Sequence, residues 1–257
     1  NGNLRIGTIM SFILGFGLYG STFILPLYTQ STLGWTAQQS GALMIPAALT
    51  TAVMMPLIGR LITAGVKNQY LVAGGLFTFF VYSFWGYKII TPDTGADAFF
   101  WMLIARGIGL GLLFIPITAL SLSTLKGQEI GQGAAFTGMM RQLGGSFGVA
   151  MITTFLSHQN MAYRNDLVGK LDVNSMAVQQ RVNGLQQSFM GKGMTPDVAL
   201  KAAYKALDYG VSKQAAVLSY MDVFLYLGII FLICIPFILF VKQKKNAEKV
   251  DLSEAMH

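Results

Sequence analysis

Two arginines, Arg106 and Arg141, stand in stretches whose other residues belong in hydrocarbon. If residues 131–156 form a helix, Arg141 lies about 15 Å inside it, near the middle of a bilayer. A guanidinium at that depth costs at least about 2.5 kcal/mol to insert, so it must face a cavity or bond to neighbouring carbonyls. Thr137 and Gly138 one turn before it, and Gly144 and Gly145 one turn after, leave space on its face. Two readings stand: an electrostatic element of a transport path, or a structural arginine tying its helix to a neighbour. Arg106, about 12 Å into a stretch over 98–124, is close enough to the interface for its stem to snorkel. Gln142, Thr118, Ser121 and Ser123 offer neutral hydrogen bonds to a ligand, although hydroxyls in such helices also bond their own backbone. Tyr19, Phe23, Tyr28, Phe114, Met139 and Met140 suit an adaptable surface for lipophilic cations, through dispersion and cation–π contact, or simply face lipid and core.

Covalent and cofactor chemistry is excluded by residue count and spacing. One cysteine, Cys234, and two widely separated histidines, His158 and His257, cannot build a multi-cysteine metal site. Gly144-Gly145-Ser146-Phe147-Gly148 matches the nucleophile-elbow pattern, but that serine needs a strand-to-helix turn, and His158 would sit about 18 Å along the same helix. Gly107-Ile108-Gly109-Leu110-Gly111 mimics a nucleotide loop with the wrong spacing and no preceding strand. The pairs Gly107/Gly111 and Gly144/Gly148 instead put two glycines on one helix face for close intramolecular packing. The chain reads as neither an enzyme nor a cofactor protein.

The elements that carry these residues are membrane helices. The 257 residues are 53% hydrophobic and 11% charged, against roughly 25% charged in soluble domains. Six stretches, 6–28, 40–62, 70–90, 98–124, 131–156 and 221–241, approach the 20 or so apolar residues a helical span requires. Arg5, Arg60, Lys67, Lys126, Lys242, Lys244, Lys245 and Lys249 fall on one side and only Lys88 on the other short loops, which predicts both termini in the cytoplasm. The net charge of +7 is therefore loop and tail charge beside a lipid bilayer rather than a nucleic-acid surface. Residues 1–157 hold the first five spans, 158–220 an extracytoplasmic loop, 221–241 the sixth span and 242–257 a cytoplasmic tail. That loop is expected to be partly helical. Thr195-Pro196-Asp197 is a helix start with Val198, Ala202 and Leu207 on one face, and an apolar periodicity runs through 175–190. The third and sixth spans, rich in Phe77, Phe79, Phe80, Phe84, Trp85, Phe224, Ile229, Phe231, Phe237 and Phe240, are expected to face lipid, and the fourth and fifth to be central.

A family likeness rests on an ordered set of motifs. Gly34-Trp35-Thr36-Ala37, Ser40-Gly41, Pro46 and Pro56-Leu57-Ile58-Gly59-Arg60 are followed by Phe114-Ile115-Pro116 and Ser121-Leu122-Ser123. Arg141-Gln142-Leu143-Gly144-Gly145-Ser146-Phe147-Gly148 and Gly193-Met194-Thr195 complete the set. In this order the chain resembles the carboxy-terminal half of EmrB/QacA-type drug:proton antiporters, the fourteen-helix branch of the major facilitator superfamily. Thr63 and Ala64 stand where the superfamily's cytoplasmic loop pattern has Asp and Arg, so its gating ion pair is not encoded there.

The resemblance implies six helices forming a three-plus-three inverted repeat. It implies drug:proton antiport by alternating access, in the inner (plasma) membrane, of lipophilic and often cationic small molecules. It also implies two partners, the missing amino-terminal half and a periplasmic adaptor protein. The opening Asn1-Gly2-Asn3, without an initiator Met, reads as the tail of a longer protein. A major facilitator for another solute, such as a sugar or organic acid, and a non-transporting scaffold or receptor remain as alternatives.

Overall fold

The computed structural model describes residues 2–172 and 175–240, and the tail lysines lie outside them. Eight helices fill the described chain: α1 (Gly2–Ser31), α2 (Ala37–Leu43), α3 (Ile45–Thr63), α4 (Asn68–Ile89), α5 (Ala96–Leu122), α6 (Gln128–Gly169), α7 (Met176–Met190) and α8 (Pro196–Phe240). No strand occurs among the described residues. The stretch expected as one second span is broken at Met44, whose N–H turns back to the Gly41 carbonyl at 3.0 Å. Pro46 explains the break: it lacks an N–H, and its ring opposes the carbonyl one turn earlier, so it starts α3 instead of continuing α2.

Four helical segments are long and apolar enough to cross a membrane: Leu4–Ser31, Ala37–Thr63, Ala96–Leu122 and Pro196–Leu239. α4 and α6 have the length but not that apolarity, so apolarity alone does not confirm the six-span count.

The bundle has two ends. Near the N-terminus, Gly7 lies against Ser121, and Arg5, Arg60, Lys67 and Lys126 gather where α1 begins, α3 ends and α5 turns into α6. At the opposite end Tyr28 donates to the Thr91 carbonyl and Ser31 bonds Tyr220, and here α7 sits beside α8. α1 runs along α6 and α3 along α5, while α4 packs on both α5 and α8. α5 touches α1, α2, α3, α4 and α6 and is, with α1, the most buried of the apolar helices.

The close contacts are made by glycine. A Cβ on Gly144 would strike the Phe12 carbonyl and one on Gly148 would lie 3.0 Å from the Phe16 Cα. Gly107 and Gly111 meet Ala47, Thr50 and Met54 of α3 in the same way, at 2.6 Å from the Ala47 carbonyl and the Met54 Cβ. All four glycines pack within the chain.

The expectation that the bulky residues of the third and sixth spans face lipid is corrected in part. α4 and α8 pack on each other through Phe79 and Phe231, whose ring centroids are 4.8 Å apart, and Tyr82 and Phe224 at 5.9 Å. Phe79, Phe224 and Phe231 are buried, while Phe77, Phe84, Trp85, Ile229 and Phe237 are exposed. The side chain of Phe240 is outside the description. Along α6, Phe136, Met139, Leu143, Phe147 and Met151 form an exposed stripe.

Residues 158–220 are more regular than a partly helical loop. α6 continues without a break to Gly169, and α8 begins at Pro196 and enters the bundle unbroken. The buried face of early α8 is one residue out from the expected one: Ala199 and Ala203 are buried, whereas Val198 is 54% exposed.

Candidate functional site

α6 presents Arg141 to α5 and α1. Its guanidinium carbon stands 4.3 Å from the centroid of the Phe114 ring, a cation–π contact that suits a charge kept from water. Its carbonyl lies against Gly15, midway along α1, where any side chain would collide with it. Beside it the Tyr19 hydroxyl donates to Gln142 Oε1 at 2.9 Å. The structure thus brings together Arg141, Phe114, Tyr19 and Gln142 from three helices. The Arg141 Nε is buried without a hydrogen-bond partner. A buried, unpaired donor of this kind is costly, and the described residues supply it no acceptor. Met139 is half exposed on the open side of α6 and Met140 is half-buried.

Arg106 is not part of this cluster. Phe114 is eight residues further along α5, about 12 Å away. The expected snorkelling of Arg106 is contradicted: the residue is 5% exposed, and its Nε donates to Ser21 Oγ at 3.0 Å while an Nη2 donates to Thr22 Oγ1. Two facts explain the difference. α5 starts at Ala96, which sets Arg106 deeper than a start at residue 98 would, and α1 offers two adjacent hydroxyls at that level.

The other polar candidates bond their own helices. Thr118 donates to the Phe114 carbonyl, Ser121 to Ile117 and Ser123 to Leu120, each at 2.8 Å, and Thr137 donates to Gly133 at 2.9 Å. Ser146 is inside α6, as is His158, so the nucleophile-elbow geometry is absent.

One cluster escaped the reading of the sequence. Where α6 and α8 leave the bundle, Asp222 Oδ2 accepts from Gln159 Nε2 at 2.8 Å and from the Tyr163 hydroxyl at 2.7 Å. That bond, followed by desolvation, pushes the Tyr163 phenol up to about 12. Gln159 and Tyr163, four apart on one helix face, were the available signal.

A sequence model of the Major Facilitator Superfamily matches residues 2–149, more than half of the chain. The chain belongs to the Major Facilitator Superfamily. With its long apolar helices, membership makes it a multi-pass membrane protein of a transporter family. Among named major facilitator relatives it is similar to the multidrug export protein EmrB of Escherichia coli strain K12, 24% identical over 250 residues, 95% of this chain and 46% of the relative. The fatty acid resistance protein FarB of Neisseria gonorrhoeae is 24% identical over 238 residues, 92% of this chain and 45% of FarB. The MFS-type transporter YhcA of Bacillus subtilis is 25% identical over 224 residues, 86% and 41% of the two chains. The chain spans less than half the length of these relatives.

Proposed function

We propose that the chain is a six-helix half of a multidrug efflux transporter that exchanges amphipathic compounds for protons by alternating access. The observation that carries this reading is the Arg141 cluster: a guanidinium opposite the midpoint of α1, resting on one aromatic ring, with its Nε buried and unpaired. Part of the helix contacts fits a three-plus-three repeat: exchanging α1 with α5, α3 with α6 and α4 with α8 turns the α1–α6 contact into the α5–α3 contact and keeps the α4–α8 and α1–α5 contacts, although the broad α4–α5 contact has only a thin α1–α8 counterpart. The names of EmrB and its relatives support drug export. Both termini are assigned to the cytoplasm of an inner, or plasma, membrane, because Arg5, Arg60, Lys67 and Lys126 share one end of the bundle. The protruding α6–α8 helices are then available to a periplasmic adaptor protein.

Dye efflux from whole cells carrying the full-length protein tests the reading. Export that a protonophore abolishes supports it, and export that survives the protonophore removes proton exchange from it. With Cys234 replaced, a cysteine at Gln187 labels with an impermeant maleimide in intact cells and one at Lys126 does not; the reverse pattern overturns the orientation.

One observation favours a second reading. Asp97 and Asp222, the acids nearest the apolar stretches of α5 and α8, lie at the ends of those stretches rather than at mid-depth, and a guanidinium whose Nε has no partner suits an organic carboxylate. FarB, a fatty acid resistance protein by name, fits that alternative. Competition of dye export by a long-chain fatty acid separates the two.

A further inference from the structure

A second feature with ligand chemistry lies at the α7 end of the bundle, where α1 gives way to α2 and α4 to α5. There a cleft of about 620 Å³ opens between the first turns of α5 and the α2–α3 elbow, a size typical of small-molecule pockets. Its walls include Trp35, Phe100, Trp101 and Pro46, and its polar edge has Gln39 and Asp97.

Each wall has a local cause. Gly34, at φ +73°, turns the chain so that the Trp35 N–H reaches the Thr29 carbonyl at 3.0 Å. The indole then meets the buried Phe99 ring edge-on at 6.4 Å. Phe100 and Trp101 pack edge to face at 5.5 Å. Gln39 Oε1 is already used, accepting the Thr36 N–H at 2.9 Å in the capping box of α2. Asp97 is therefore the negative group of the cleft. It forms no ion pair among the described residues, and no Lys or Arg lines the cavity.

Three aromatic side chains with one carboxylate that has no ion-pair partner have a definite preference. Ring quadrupoles attract a diffuse positive charge, the carboxylate neutralises it, and the apolar lining accepts its hydrocarbon. An interfacial belt accounts for the exposure of Trp101, which is 63%, but not for an open cleft of this volume with an acid in its lining. We propose that this cleft binds lipophilic aromatic or quaternary monocations, at a site separate from the Arg141 cluster. Asp97 and Phe114 are seventeen residues apart on α5, about 25 Å along the helix. In the proposed orientation a cation repelled by Arg141 would dwell here on its way out. That place in transport rests on the export reading above, whereas the binding does not.

The test uses the 257-residue chain in detergent with Trp85→Phe, which leaves Trp35 and Trp101 as its only tryptophans. Tetraphenylphosphonium is titrated against tryptophan fluorescence, with tetraphenylborate as the anion of the same shape. The proposal expects saturable quenching by the phosphonium and only linear, partition-like quenching by the borate. Asp97→Asn weakens the phosphonium by about tenfold and Asp97→Glu by much less. Trp101→Ala removes saturation of the remaining Trp35 signal, with helicity by circular dichroism unchanged. Equal saturation by borate and phosphonium, or an unchanged midpoint in Asp97→Asn, overturns the site. Because no gradient is present, failure here leaves the export reading standing, and failure of dye efflux leaves this result standing.

Discussion

Arg106 and Arg141 are both arginines inside apolar helices, and their surroundings differ in one respect. Arg106 is enclosed, with its guanidinium shared between Ser21 and Thr22 of α1. Arg141 is half-buried, leans on the face of Phe114 and keeps an unpaired Nε. A buried guanidinium bonded to a neighbouring helix joins the two, and one without such a bond is suited to meet something else. Depth alone, which is all that sequence spacing provides, does not separate these roles.

Stability measurements can break this comparison. The largest loss is expected when the partners of Arg106 go and the charge stays: Ser21→Ala with Thr22→Val should cost about 3 kcal/mol in reversible unfolding in detergent, because a buried cation is left unmatched. Gly144→Leu should cost about 2 kcal/mol by pushing α1 off α6, whereas Gly138→Leu, with open space around it, should cost little. Arg106→Met removes the charge together with its desolvation penalty and should cost about 1 kcal/mol or less. If that variant proves worse than the Ser21/Thr22 double substitution, the reading of Arg106 as a charge held by hydroxyls is wrong. Arg141→Ala should lie within about 0.5 kcal/mol of the parent, since it gives up one cation–π contact and one unpaired donor.

The smallest effect belongs to the exposed end. Tyr163 has a folded pKa raised above the ordinary phenol value, so its bond to Asp222 contributes fully below about pH 10 and is lost as pH rises through about 12. Tyrosine absorbance near 295 nm should lose one late-titrating phenol component in Tyr163→Phe. An unchanged titration would place that component on another tyrosine.

Much of the helix content was legible because long apolar runs must be helical where backbone groups have no water. Pro46 was legible as a bend but not as a helix start, since its effect depends on where the preceding helix can end. Hydropathy falls before Met221 while the backbone of α8 continues, because helix propensity and membrane depth are separate properties. The same limit applies to Phe79, Phe224 and Phe231, whose apolar side chains suit lipid and a helix interface equally, so only the α4–α8 contact decides. Arg141, Phe114, Tyr19 and Gln142 were each visible as candidates. That they meet, and that Arg106 meets Ser21 and Thr22 instead, depends on contacts between helices distant in sequence.

The account rests most directly on the functional difference between the two arginines. In the full-length transporter, at matched membrane levels, Arg141→Ala should lower the initial rate of dye efflux by at least about tenfold while Arg106→Met stays within about threefold of the parent. Parent-like efflux by Arg141→Ala would contradict the account and leave Arg141 as a second packing residue.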